Sequence, residues 1–122
     1  MIVAFDIDDT ITRHPEFFAF LSASLRDAGH RVLIITFREN RDATIADLRK
    51  WGIEYDDVVT STLEGTLQAG VDEWKAAVCL EHQVDIFFED DPEVLKHIDD
   101  VVLCMMPVDR RRHVLAAISP GT

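Results

Sequence analysis

The stretch MIVAFDIDDTIT, Met1 to Thr12, sets an apolar run directly against three aspartates, Asp6, Asp8 and Asp9. A short apolar run of this kind fits a strand buried on both faces. Carboxylates crowded this closely repel, and each resists ionisation beside the others. The cluster is therefore either a solvated turn or a place for something positive. The rest of the chain decides between them.

Working outward, apolar runs alternate with helical periods. "RVLIIT" (31–36), "YDDVVT" (55–60), "VDIFF" (84–88) and "VVLCMM" (101–106) read as further strands. Between the first two, Pro15 suits a first helical turn, and Phe17, Phe18, Leu21, Leu25 and Ala28 follow with helical spacing up to Gly29. Asn40 can cap a second helix with Ile45, Leu48 and Trp51 on one face and Gly52 at its end. "STLEGTLQAG" (61–70) reads as a loop, with a helix expected from Val71 to His82. Asp91-Pro92 fits an N-cap and first helical position, and a last helix is expected over Val108 to Ile118. Apolar strands separated by helices mean repeated βαβ units. The expected fold is a single α/β, Rossmann-like, three-layer domain over 1–122, with a central parallel sheet of about five strands.

Composition limits the function. The 122 residues suit one domain, and nearly half are apolar. Net charge is −11, from 12 basic and 23 acidic residues, which opposes general nucleic-acid binding. The run Arg110-Arg111-Arg112 is the one dense basic cluster. No apolar run approaches the length of a membrane span, and "MIVAFDIDD" has no basic leader segment, so a cytoplasmic location is expected. Cys79 and Cys104 lie outside any CxxC pattern in apolar surroundings and read as free thiols.

In a doubly wound sheet the ligand site lies beyond the carboxyl ends of the strands. Strand one is followed by Asp6, Asp8, Asp9 and Thr10, strand two by Thr36 and Arg38, and strand four by Glu89, Asp90 and Asp91. If strand one is central, the two acidic clusters are neighbours. Facing clusters of hard oxygen ligands call for a cation and suit Mg2+.

These residues carry a family resemblance. "DIDDT" matches the DxDxT motif of the haloacid dehalogenase superfamily of phosphohydrolases, "LIITFR" is similar to its second motif, Lys75 fits its lone lysine, and "FFEDDPE" looks like its acidic fourth motif. Among 15 aspartates DxDxT alone is a weak signal, but four motifs in order at the right strand ends are a strong one. The phosphatase half of polynucleotide kinase-phosphatases and small nucleotidases are similar in the same regions.

The resemblance implies a Mg2+-dependent phosphomonoesterase. Asp6 would be the nucleophile that forms an aspartyl-phosphate. Asp8 would be the acid and base, and would lend its backbone carbonyl to the metal. Thr36 would hydrogen-bond a phosphoryl oxygen, and Lys75 would balance charge. Asp90 would be a direct Mg2+ ligand alongside Asp6 and Asp8, with Asp91 a ligand through water or a partner for Lys75. Glu89 takes the ligand role if the strand ends one residue earlier. Arg38 and Thr10 are candidate substrate contacts, since a guanidinium matches phosphate geometry. Arg13 and His14 read as plain surface. Asp9 occupies a slot where family members often place glycine, and is expected to face solvent or hold the turn.

The intervals after the first and second motifs are too short for the cap domain that many members carry. A capless chain implies a bulky substrate, such as a phosphorylated polynucleotide end or protein, or a small metabolite with a neighbouring subunit of a homo-oligomer as cover. Gly65 and Gly70 would let 60–70 act as a small lid. Two other readings compete. One is a phosphate-ligand or partner-binding module without turnover. The other is a receiver-like signalling domain, although "VVTST" offers no acid where a receiver's third strand ends.

Overall fold

The computed structural model describes residues 1–109. Five parallel strands form one sheet: β1 (Ile2–Phe5), β2 (Arg31–Thr36), β3 (Asp57–Thr60), β4 (Ile86–Phe88) and β5 (Leu103–Met105), in the order β3-β2-β1-β4-β5. The helices are α1 (Pro15–Asp27), α2 (Arg41–Lys50), α3 (Leu63–Ala69), α4 (Trp74–Glu81) and α5 (Pro92–Leu95). The expected α/β, Rossmann-like architecture is the one observed.

Alternation along the strands divides the core. Val3 and Phe5 of β1, with Val32 and Ile34 of β2, pack under Phe18 of α1 and Leu48 of α2. Ala4, Leu33 and Ile35 face the other way, against Trp74, Val78 and Cys79 of α4 and Val94 of α5. Both faces of the central strands are covered, which is why their sequences read as unbroken apolar runs.

α1 and α2 end alike, where the sequence placed glycine. Gly29 has φ +89° and Gly52 φ +72°. The amide of each donates to the carbonyl three residues back, and the next amide to the carbonyl five residues back, closing a Schellman motif. α4 ends the same way through Gln83, at φ 55°. Some acids are structural. Asp85 accepts the Ile2 amide and Asp56 the Val32 amide, both at 2.7 Å, at the starts of β1 and β2.

Two expectations differ in detail, and a third lies almost wholly outside the described residues. Residues 61–70, read as a loop, hold α3, capped by Thr62, whose hydroxyl accepts the Gly65 amide at 3.0 Å. α3 buries none of its residues, so it left no stripe of burial in the sequence. α4 begins at Trp74 rather than Val71. The helix expected over 108–118 and the Arg110–Arg112 cluster lie, but for Val108 and Asp109, outside the described residues. Among the described residues no helix is long and apolar enough to cross a membrane.

β1 pairs with β2 on one side and β4 on the other, so strand order reverses between β1 and β4. That reversal is where a doubly wound sheet opens a crevice. The order also differs from the 2-1-3-4-5 order of flavodoxin-like and receiver sheets.

Candidate active site

The register Phe5↔Phe88 brings the first residues beyond β1 and β4 side by side, and the Asp6 amide donates to the Phe88 carbonyl at 2.9 Å. A cavity of about 400 Å³ opens there. Among the described residues its wall carries six carboxylates, Asp6, Asp8, Asp9, Glu89, Asp90 and Asp91, and a single basic side chain, Lys75.

Asp6 and Lys75 form the floor. Asp6 is buried, and its two oxygens are used differently: Oδ1 lies 2.7 Å from Lys75 Nζ, and Oδ2 accepts the Thr10 hydroxyl at 3.0 Å. Lys75, on the first turn of α4, is 1% exposed and also reaches Glu89 Oε1 at 2.6 Å. Burial works against the ammonium, but the charges of Asp6 and Glu89 outweigh it and raise its pKa. Glu89 is left with the poorer share. Burial, then the charge of Asp6, push its carboxyl up to about 7, against the pull of Lys75. Glu89 Oε2 accepts the amides of Asp90 at 2.8 Å and Asp91 at 3.3 Å, which fixes the turn after β4.

The partner of Lys75 is thus Glu89, not Asp91. Asp91 Oδ1 instead accepts the Glu93 amide at 2.9 Å as the N-cap of α5, ahead of Pro92. Thr10, expected at the substrate, is wholly buried and off the cavity wall; its hydroxyl positions the nucleophile candidate. Asp9 takes the left-handed conformation, φ 66°, which explains why glycine suits that slot. Its amide donates to the Thr12 hydroxyl, and its carboxylate lies 3.5 Å from Arg13. Arg13, read as plain surface, also pairs with Asp109 at 3.2 Å.

Asp8 and Arg38 form the rim. Arg38 grips both oxygens of Asp8, Nε at 3.0 Å and Nη2 at 2.8 Å, and its Nη1 donates to Asp47 at 2.8 Å. The hydrogen bond from Arg38, more than its charge, holds the Asp8 carboxyl below the usual range. Thr36 is buried at the end of β2, where its hydroxyl accepts the Arg38 amide at 3.1 Å and keeps its own proton to donate. Neither Thr36 nor Arg38 lies on the cavity wall. Phe37, between them, does; its ring lies 4.5 Å from Lys75 Nζ and 5.6 Å from the Trp74 ring. Nothing but its place between Thr36 and Arg38 marked Phe37 in the sequence.

The proposed metal ligands Asp6, Asp8 and Asp90 share the cavity wall, but among the described residues no group of three or more acid, His or Cys side chains is gathered closely enough to hold a metal ion. The Asp8 carboxylate is turned to Arg38. A site using two carboxylates, Asp6 and Asp90, with the Asp8 backbone carbonyl does not need it. That donor set is all hard oxygen, as Mg2+ prefers.

No protein-family model and no curated protein matches the sequence. Solved structures do match the fold. A chain of the Pnkp1/Rnl/Hen1 RNA repair complex superposes with a TM-score of 0.68 at 20% identity, covering 87% of this chain and 42% of that one. A hypothetical protein from Xanthomonas campestris gives 0.53 at 22% identity, covering 88% of this chain and 63% of that one. The chain therefore spans less than two thirds of either neighbour. At these identities the likeness concerns the fold alone.

Proposed function

We propose that this protein is a phosphomonoesterase of the haloacid dehalogenase type, acting through an aspartyl-phosphate on Asp6 with Mg2+ as cofactor. The observation that carries the reading is the pair of Asp6 and buried Lys75 at the floor of an acidic cavity, at the strand-order reversal. Among the described residues, a phosphate dianion would meet six carboxylates and one ammonium there. Mg2+, held by Asp6, Asp90 and the Asp8 carbonyl, would supply the missing positive charge.

Asp6 attacks phosphorus. A bond from its oxygen to phosphorus forms as the bond to the leaving oxygen breaks, and Asp8, released from Arg38 and protonated from solvent before the step, gives that oxygen its proton. Water then attacks the aspartyl-phosphate, Asp8 takes the proton of the water, the Asp6–phosphorus bond breaks, and inorganic phosphate leaves. Thr10 keeps one Asp6 oxygen oriented, while Lys75 stabilises charge as it moves between Asp6 and the phosphoryl group. The Thr36 hydroxyl is a donor for a phosphoryl oxygen. The strand order, 3-2-1-4-5 rather than the receiver's 2-1-3-4-5, and the absence of an acid in VVTST after β3 disfavour the receiver reading. An RNA repair complex among the structural neighbours makes a phosphorylated polynucleotide end one candidate substrate, contacted locally because the net charge is −11.

The test is phosphate release from p-nitrophenyl phosphate with Mg2+, with chelator, and in Asp6→Asn. Turnover is expected with Mg2+ alone and at background in the other two. Full activity in Asp6→Asn would overturn the reading.

A further inference from the structure

The Arg38 guanidinium is an oxyanion site already built and already filled. Its Nη1 is tied to Asp47 at 2.8 Å and its carbon lies 5.7 Å from the centre of the Trp51 ring. Asp47 lies on α2 and Trp51 is its C-cap, four residues on, so one helix face holds the guanidinium in place. The other edge, Nε and Nη2, points at the two oxygens of Asp8. That two-point grip suits a carboxylate or a phosphate equally.

The placement says which part of a ligand would use it. Asp6 and Asp8 line the cavity and Arg38 does not, so Arg38 sits at the rim, behind Asp8. With the reacting phosphoryl group at Asp6, an anion that reaches Arg38 belongs to the rest of the molecule. We infer that Arg38 determines specificity for a second oxyanion, phosphate or carboxylate, on the leaving group, and that this oxyanion replaces Asp8 on the guanidinium and frees Asp8 for the leaving oxygen. The inference rests on the phosphatase reading above. The exchange is like for like, a two-point Arg–oxyanion pair for a two-point Arg–carboxylate pair. A neutral leaving group offers no replacement, so Asp8 must leave Arg38 uncompensated. Binding energy at the rim is thereby spent on assembling the reactive arrangement.

Three matched two-carbon substrates test this: ethyl phosphate, phosphoglycolate and ethylene glycol bisphosphate. Wild-type kcat/KM is expected to favour at least one of the two anionic substrates over ethyl phosphate by about tenfold or more. The ranking of those two tells carboxylate from phosphate. Arg38→Gln should bring the preference close to unity, and Arg38→Lys should restore part of it. Equal kcat/KM for all three in the wild type, or a preference that survives Arg38→Gln, overturns the inference. If the wild type hydrolyses none of them and is silent on p-nitrophenyl phosphate as well, the phosphatase reading fails on its own. Calorimetry without divalent cation then decides on Arg38. Tighter binding of phosphoglycolate or ethylene glycol bisphosphate than ethyl phosphate, lost in Arg38→Gln, supports the oxyanion site, and equal binding of all three removes it.

Discussion

Lys75 Nζ lies 2.7 Å from Asp6 Oδ1, and the two side chains are 2% and 7% exposed, although the residues are 69 positions apart in the chain. The same ammonium lies 2.6 Å from Glu89. One buried cation thus serves two buried carboxylates. Breaking such a group by removing one partner is costly, because a charge stays buried without its counterpart. Lys75→Met is expected to lower stability by about 3–5 kcal/mol in urea unfolding near neutral pH. Adding Glu89→Gln should recover part of that loss but none of the phosphate release. Recovery of both would remove Lys75 from the chemistry.

Thr10 separates positioning from substrate contact. Its hydroxyl bonds Asp6 Oδ2 in a fully buried place. Thr10→Val should cost about 1–3 kcal/mol, since a buried acceptor loses its donor. It should also lower kcat more than it raises KM, and Thr10→Ser should restore both stability and rate. A change confined to KM would return Thr10 to the substrate.

The left-handed backbone at Asp9 gives a test of the loop alone. At φ 66° a β-branched side chain is strained. Asp9→Val should lose roughly 1–2 kcal/mol, while Asp9→Gly should be about as stable as the wild type. The ion pair that Asp9 gives up to Arg13 is a surface one and worth little. Thermal unfolding of the two variants checks the difference.

Cys79 predicts a pH dependence. Burial, more than the neighbouring Cys104, pushes its thiol up to about 12. The unfolded chain loses this proton near the ordinary thiol value and the folded chain keeps it. Stability therefore falls as pH rises through the interval between the two, by up to about 1.4 kcal/mol per pH unit from this group. Urea unfolding from about pH 8 to about pH 10 should show a shallower decline in Cys79→Ala than in the wild type. Equal slopes would mean that the thiol is not shielded.

The strands were legible because the central ones are covered on both faces, so β1, β2 and β4 announce themselves as apolar runs and their ends as polar breaks. That placed Asp6 and the acids after β4 in one crevice, while Lys75, inside α4, joined them only through the family resemblance. Three consecutive acids, Glu89 to Asp91, were beyond the sequence. Which one meets Lys75 depends on β4 ending at Phe88 and on the turn that Glu89 itself holds. The Asp8–Arg38 pair spans 30 positions and leaves no local pattern. α3 was missed because helical spacing of Leu63 and Leu67 means little when both stay exposed and Gly65 stands between them. A Cβ at Gly65 would come within 3.1 Å of the Trp74 indole nitrogen, a contact that only the fold creates.

The central claim is that Asp6 carries the phosphoryl group during turnover. Its most direct test is rapid acid quench of the protein with Mg2+ and a phosphomonoester that it hydrolyses, followed by peptide mass analysis. The account predicts the added mass of one HPO3 on Asp6, absent in Asp6→Asn. Its accumulation should rise in Asp8→Asn with an activated aryl phosphate, since that variant lacks the base that clears the intermediate. Phosphate release at the full rate with no phosphorylated Asp6 at any quench time, or with the added mass on another residue, would contradict it.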